Sequence, residues 1–348
     1  MIVLNLLSLC VLLAIISNVI TNYIRKMSIK NKLFDIPNNR SSHLDPKPKA
    51  GGVSIISILI LTIVVLSFYK LIDADISTSL ITGLFIVSII GLIDDFKNLP
   101  IVIRIIAYVV GAALSLYFIG GLSYLEINNY SFNLNYFGYI LSILFVVWLI
   151  NLYNFMDGTD GFAAIQTICV SLFCGLILYF SGHIPLAIIM FCTLSSTIGF
   201  LYWNWAPAKI FMGDVGSCSL GFLFGLFAIY TEKKGIISIG VWLILLTPFI
   251  VDATFTLLKR MINREKWYEA HNSHAYQKLY QLGISHSKLA IGLLVMNILL
   301  FWPLAYIANS NNNFEIILIV LSYLIMGLVW ATVQLKYQKV KEEFIENK

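Results

Sequence analysis

Residues 77–100 read STSLITGLFIVSIIGLIDDFKNLP. From Ser77 to Ile93 nothing is charged, and then two carboxylates, Asp94 and Asp95, stand side by side. A helix needs about 20 mostly apolar residues to cross a bilayer, so the run reads as a spanning helix. A carboxylate beside hydrocarbon is costly unless it faces water or holds a cation, which makes the end of this helix a place for chemistry. The same pattern recurs twice. Asp157 and Asp160 follow an apolar run in NLYNFMDGTDGF (151–162), and Asp214 precedes one in FMGDVGSCSLG (211–221).

Composition extends the membrane reading to the whole chain. Its 348 residues are 59% hydrophobic and 12% charged, with a mean hydropathy of +0.86. A soluble domain is about half apolar with about a quarter charged. The expected fold is therefore all-α: a polytopic integral membrane protein in one transmembrane domain, 1–348, with no large soluble domain. The net charge of +5 does not point to nucleic acid, because the basic residues lie between apolar runs and no nucleic-acid module is recognisable. The five cysteines lack CxxC spacing and read as buried thiols rather than a disulfide or zinc framework. The run MIVLNLLSLCVLLAIISNVI is followed, not preceded, by its positive charges and has no small-residue cleavage site, so it is expected to be a retained first helix.

About eleven spans are expected, at 1–24, 52–70, 77–94, 101–121, 137–153, 162–180, 184–203, 217–231, 236–258, 289–308 and 314–335. The connections fall into two sets. Loops 25–51, 95–100, 154–161, 204–216 and 259–288, with the tail 336–348, carry nineteen lysines and arginines; the alternate set carries only Lys233 and Lys234. The positive-inside rule assigns the first set to the cytoplasm, with the N-terminus outside and the C-terminus inside. All five aspartates then reach the cytoplasmic face. The stretch 122–136, with alternating Tyr130, Phe132 and Leu134, is expected to form a small extracytoplasmic hairpin.

Five segments can carry chemistry. Neighbours on a helix point about 100° apart, so Asp94 and Asp95 serve different partners: one reaches a metal or nucleophile while the other caps or orients. If its helix continues, Asn151, Asn154, Asp157 and Asp160 form a stripe at spacings of three, suited to the hydroxyls and ring N–H groups of a sugar nucleotide. Gly158 and Gly161 would permit close approach. Asp214 lies between glycines just before a helix, where free N–H groups and the dipole favour phosphate. Mg²⁺ takes one or two carboxylates and completes its shell from water and phosphates, so Asp214 is the first choice of ligand, with Asp95 second. His271 and His274, with Arg260, Arg264 or Lys266, could grip a diphosphate; zinc is disfavoured there. Arg40 and His43, in the turn-rich loop after Asp35, are candidate phosphate contacts. Asp252 is either a buried polar partner or part of the site, while His183 and His286 read as incidental. For each segment a purely structural role, as helix end, turn, cap or elbow, is the competing reading.

Taken in order, DIPNNRSSH (35–43) with PKPKAGG (46–52), GLIDD (91–95), NLYNFMDGTDG (151–161), FMGDVGS (211–217) and HNSHAYQ (271–277) resemble the polyprenyl-phosphate N-acetylhexosamine-1-phosphate transferases, glycosyltransferase family 4 in type. VDATFTLLKR (251–260) and AHNSHAYQKL (270–279) look most like the branch that starts O-antigen chains with N-acetylfucosamine, N-acetylquinovosamine or N-acetylglucosamine phosphate. They look less like the peptidoglycan branch that transfers phospho-MurNAc-pentapeptide. Asn272 stands where the resemblance leads to an arginine, and Ala50 where it leads to a glycine. The resemblance implies transfer of sugar-1-phosphate from a UDP-N-acetylhexosamine to undecaprenyl phosphate with release of UMP. It also implies a Mg²⁺ cofactor (Mn²⁺ being an alternative) and a site on the cytoplasmic face of the bacterial inner membrane. A homodimer is compatible with the sequence. A rival of another class, a secondary transporter with intramembrane carboxylates, would place its site near the bilayer midplane in a repeated fold. Here the carboxylates gather at one face and no repeat is evident.

Overall fold

The computed structural model describes residues 2–37, 45–127, 130–266 and 271–346. Every apolar run becomes a helix: α1 (Ile2–Lys30), α2 (Val53–Phe68), α3 (Ala74–Lys97), α4 (Ile101–Ile119), α5 (Asn135–Phe155), α6 (Phe162–Phe180), α7 (Ile184–Asn204) and α8 (Asp214–Lys233). There follow α9 (Ile239–Leu245), α10 (Thr247–Ile262), the short α11 (Ala275–Gln281), α12 (His286–Met296), α13 (Trp302–Ser310) and α14 (Glu315–Glu346). Among the described residues, nine helical segments are long and apolar enough to cross a membrane.

The other two expected spans differ in instructive ways. Helix α2 has 16 residues, about 24 Å at 1.5 Å per residue, which is short of the roughly 30 Å hydrocarbon core. Helices α9 and α10 are bent by 77° at Leu246, where Pro248 in the first turn of α10 lacks the N–H that would continue the ladder. Between α12 and α13 a π-turn, Asn297–Phe301, leads into Pro303, which relieves the clash of the proline ring with the preceding turn.

The expected hairpin is present as β3 (Tyr124–Ile127) paired antiparallel with β4 (Tyr130–Asn133), Leu125 opposite Phe132. A second short pair, β1 (Phe34–Asp35) and β2 (Lys47–Pro48), brackets the loop before α2. Ala50, just beyond it, has φ 71°, a left-handed conformation that glycine adopts without a Cβ penalty.

Helix α8 is the axis of the bundle: every residue from Val215 to Thr231 is buried. Small residues let its neighbours close on its first turn. A Cβ on Gly52 would overlap the Gly216 backbone, and one on Gly91 would lie 2.6 Å from the Asp214 carbonyl oxygen. Such contacts are how helices associate where lipid removes the hydrophobic drive between them. They press α2 and α3 against the turn that carries Asp214. At the opposite end, Lys233 donates to the Ile119 carbonyl and Lys234 lies 3.5 Å from Asp73. Exposed apolar side chains such as Val19, Ile106 and Leu328 cover the outer faces.

Candidate active site

The aspartates converge at one end of the bundle. All but Asp94 line a pocket of about 220 Å³ with residues from loops far apart in sequence, the lining being Asp35, Lys49, Asp95, Asn154, Asp157, Gly158, Thr159, Asp160, Asn204, Phe211, Met212, Gly213, Asp214, Gln277 and His286. Five carboxylates face it against one lysine and one histidine, so the pocket favours a cation or a ligand carrying one.

Asp94 and Asp95 take different partners, as adjacent helical positions must. Asp94 accepts the Leu99 N–H and an Arg104 Nη1 bond of 2.9 Å, and it does not line the pocket. Asp95 turns toward α8. Its Oδ1 accepts the Asp214 N–H at 3.1 Å and its Oδ2 the Val215 N–H at 3.3 Å. Two orphan donors of that helix start are thereby satisfied by a carboxylate from another helix, with favourable dipole alignment. Gly213, at φ 76°, lets the chain pass the Asp95 carboxylate, since a Cβ there would collide with it.

Asp214 is oriented from two sides. Arg104 Nη1 reaches its Oδ2 at 3.1 Å, and Asn154 Nδ2 reaches its Oδ1 at 2.8 Å while also lying 3.2 Å from Ser217 Oγ. Its carboxylate remains partly exposed to the pocket. Arg104 sits inside an apolar run, and its pairing with two carboxylates is what holds it there; nothing in its neighbours along the chain marks it as a site residue.

The polar row after α5 is not a continuous stripe. The helix ends at Phe155, and Gly158 and Gly161, the latter at φ 75°, carry a turn into α6. Asn151 spends its amide on the Val147 carbonyl of its own helix (2.7 Å) and stays outside the pocket. Asp160 is buried, with Oδ2 accepting the Ala208 N–H at 2.9 Å and lying 3.2 Å from His286 Nδ1. Against the cost of burial, the His286 contact and the Ala208 N–H hold its carboxyl below the ordinary carboxylate range. His286 Nδ1 also lies 3.4 Å from the Asp160 N–H; the closer carboxylate is the partner a proton on Nδ1 would serve. His286 is therefore a pocket residue and not an incidental one.

Asp157 is the exception. Among the described residues no donor reaches its carboxylate, and burial, reinforced by Asp214, Asp95 and Asp160, pushes it well above its ordinary value. It is the uncommitted acid of the pocket.

The loop after α10 is anchored from behind. Asp252 accepts the Ala275 N–H at 2.7 Å and the Tyr276 N–H at 3.0 Å, so it is the buried polar partner of α11. Tyr276 stacks on Phe162, its hydroxyl accepting the Gly158 N–H (3.0 Å) and donating to the Phe155 carbonyl (2.9 Å). Asn204 fastens the next glycine, accepting the Gly161 N–H at 3.0 Å. His274 is buried beside His271 and Phe155, and neither histidine lines the pocket. Arg264 is exposed, with φ 55°, and lies outside the pocket lining as well. Arg40 and His43 lie outside the described residues.

Among the described residues no three His, Cys, Asp or Glu side chains close around one point. Apart from His286, whose Nδ1 faces Asp160, the donors lining the pocket are oxygens, with Asp214 held at the pocket wall and Asp157 unpartnered among the described residues. Such a set fits Mg²⁺, which binds through one or two carboxylates and takes its remaining ligands from water and phosphate.

Several known proteins resemble this chain. Residues 77–232 match the model of glycosyl transferase family 4. The chain is 29% identical over 283 residues to a probable undecaprenyl-phosphate N-acetylglucosaminyl 1-phosphate transferase of Bacillus subtilis, covering 77% of this chain and 75% of the relative. It is 27% identical over 314 residues to the decaprenyl-phosphate N-acetylglucosaminephosphotransferase of Mycolicibacterium smegmatis, covering 79% and 75%. A phospho-N-acetylmuramoyl-pentapeptide-transferase of Streptococcus thermophilus is 30% identical over 221 residues, 59% of this chain and 65% of the relative. Over residues 77–232 the chain resembles glycosyl transferase family 4, and its relatives are polyprenyl-phosphate sugar-1-phosphate transferases.

Proposed function

We propose that this membrane protein transfers N-acetylhexosamine-1-phosphate from a UDP-sugar to undecaprenyl phosphate, giving the undecaprenyl diphospho-sugar and UMP. The observation that carries the reading is the carboxylate-rich pocket at one end of the bundle, with Asp214 fixed by Arg104 and Asn154. The lipid phosphate oxygen attacks the phosphorus borne by the sugar. A new phosphoanhydride bond forms, the bond to the uridine-bearing phosphate breaks, and UMP leaves with the electron pair. Phosphoryl transfer asks mainly for positioning and neutralisation of charge, which is what these residues offer.

Asp214 would hold Mg²⁺, or Mn²⁺ in its place, with Asp95 fixing the helix start that presents it. When bound, such an ion neutralises the diphosphate and acts as a Lewis acid. Lys49 is the pocket's cation for phosphate oxygens. Asp157 and Gln277 would read the polar edges of the nucleotide sugar, with Asp160 and Asn154 holding the pocket wall. Asp94 is committed to Arg104 and acts as a positioning residue. A general base is dispensable, because a phosphate monoester is already ionised at neutral pH.

The positive-inside pattern supports a pocket on the cytoplasmic side of the inner membrane. The longer reach of the N-acetylglucosaminyl relatives supports a first step of O-antigen or other cell-surface polysaccharide synthesis over a peptidoglycan step. Membranes bearing the protein, undecaprenyl phosphate, Mg²⁺ and labelled UDP-N-acetylhexosamines are expected to yield labelled lipid and UMP. EDTA or Asp214→Asn should abolish the product. A folded protein inactive across the sugar panel overturns the reading. Cysteines placed at Lys97 and Lys234 test the sidedness: reagent from the cytoplasmic side must reach position 97 and not 234.

A further inference from the structure

Beside the pocket, two lysines converge on one uncharged oxygen. Lys259 on α10 donates to Gln334 Oε1 on α14 at 3.1 Å, and Lys278 on α11 donates to the same atom. Gln334 is buried, and its amide nitrogen is 3.4 Å from the Ser273 carbonyl. Each ammonium also lies over an aromatic ring, Lys259 over Trp330 (5.8 Å) and Lys278 over Tyr337 (4.9 Å).

The nearby acids are engaged elsewhere. Glu265 lies 2.9 Å from Arg260, and Asp252 accepts the N–H groups of α11 and the Thr256 hydroxyl. Lys341, also on α14, adds positive charge. Two like charges held on one neutral acceptor in a half-buried setting repel each other, and among the described residues no carboxylate pairs directly with either ammonium. The Lys278 ammonium registers this: burial first, then Lys259, bring it down to about 8, with Asp252 and Glu265 offsetting part of the effect.

We propose that Lys259, Lys278 and Gln334 form a binding site for a phosphate group, occupied by the headgroup of an anionic phospholipid. Basic pockets between spanning helices are where such headgroups bind, and aromatic residues such as Trp330 and Tyr337 suit the membrane–water boundary. Exposed Leu258 and Ile262 on α10 and Leu335 on α14 provide apolar surface for the acyl chains. The site joins α14 to α11, the element whose Tyr276 holds the Asp157–Asp160 turn. An occupant there therefore braces the pocket from outside it.

The test is thermal unfolding of the full chain in neutral detergent with added phosphatidylglycerol, phosphatidylcholine or inorganic phosphate. Phosphatidylglycerol is expected to raise the melting temperature by a few degrees and phosphatidylcholine not to. The double variant K259Q/K278Q should lose the shift, while K26Q/K30Q should keep it. A shift from inorganic phosphate as well, lost in K259Q/K278Q, supports the phosphate site and assigns it to the free ion. A phosphatidylglycerol shift undiminished in K259Q/K278Q, or no preference for either phosphate source over phosphatidylcholine, overturns the proposal. If the double variant does not fold, K341Q at the exposed end of α14 serves instead: it must weaken the shift, and an unchanged shift counts against the site.

Discussion

Asp95 on α3 caps the first turn of α8, its two carboxylate oxygens accepting the N–H groups of Asp214 and Val215 at 3.1 and 3.3 Å. The residue that presents Asp214 to the pocket is thus 119 positions away in the chain. Asp95→Ala removes both acceptors and is expected to cost about 1–2 kcal/mol of stability, the scale of a lost helix cap. A displaced Asp214 should lower transfer about 100-fold, as a misplacement of about 1 Å can. Asp95→Asn keeps one acceptor oxygen and should cost about half as much. Thermal unfolding in detergent and product formation in the same preparations measure both effects.

Arg104 joins Asp94 and Asp214 through one nitrogen. Arg104→Gln leaves neighbouring carboxylates unopposed, at a cost of up to about 3 kcal/mol, the low end for a broken buried pair because Arg104 is partly exposed. Arg104→Lys should recover part of it. If the coupling is direct, Asp94→Asn must cost less in the Arg104→Gln background than alone. Additive losses in that double-mutant cycle would count against it.

Tyr276→Phe deletes two hydrogen bonds to the loop that carries Asp157 and Asp160. About 1–2 kcal/mol of stability should go with them, leaving the Gly158 N–H without that acceptor. KM for the nucleotide sugar should rise more than kcat falls, because the loop binds the substrate and the reacting phosphates lie at Asp214. Initial-rate kinetics separate the two.

Asp157 and Asp160 should respond to pH with opposite signs. Asp157 is raised in the folded state, so its stabilising proton is present below the unfolded value and lost as pH climbs through the folded one. Asp157→Asn should therefore raise the melting temperature at neutral pH, and the gain should fade as pH falls toward about 4. Asp160 is lowered, so its contribution is present above the unfolded value and lost as pH falls through the folded one. Asp160→Asn should lower the melting temperature at neutral pH, with the deficit shrinking in acid. Melting curves across that range without substrate check both.

The chemistry-bearing segments were legible because a carboxylate beside a long apolar run is too costly to stand there idle. GLIDD, NFMDGTDG and FMGDVGS each stand out by charge and glycine alone, and their aspartates do meet. Arg104 and His286 were not legible. One sits inside an apolar run and the other beyond an unremarkable loop, and only the carboxylates opposite give them meaning. The reverse held for Asn151 and His274, whose spacing suited a site but whose side chains are taken up by local packing.

Hydrophobic run length and alternation, which act within about 20 residues, determined the helices and the hairpin from sequence alone, while the ordered motifs carried the family resemblance. Which carboxylate is spent and which is open was decided only by tertiary structure. Asp95 is consumed by a helix start, Asp160 by a backbone N–H and a histidine, and Asp157 is left without a donor among the described residues. Hydrogen bonds form between groups a few ångströms apart in space, and no count along the chain reveals which distant donors will arrive there.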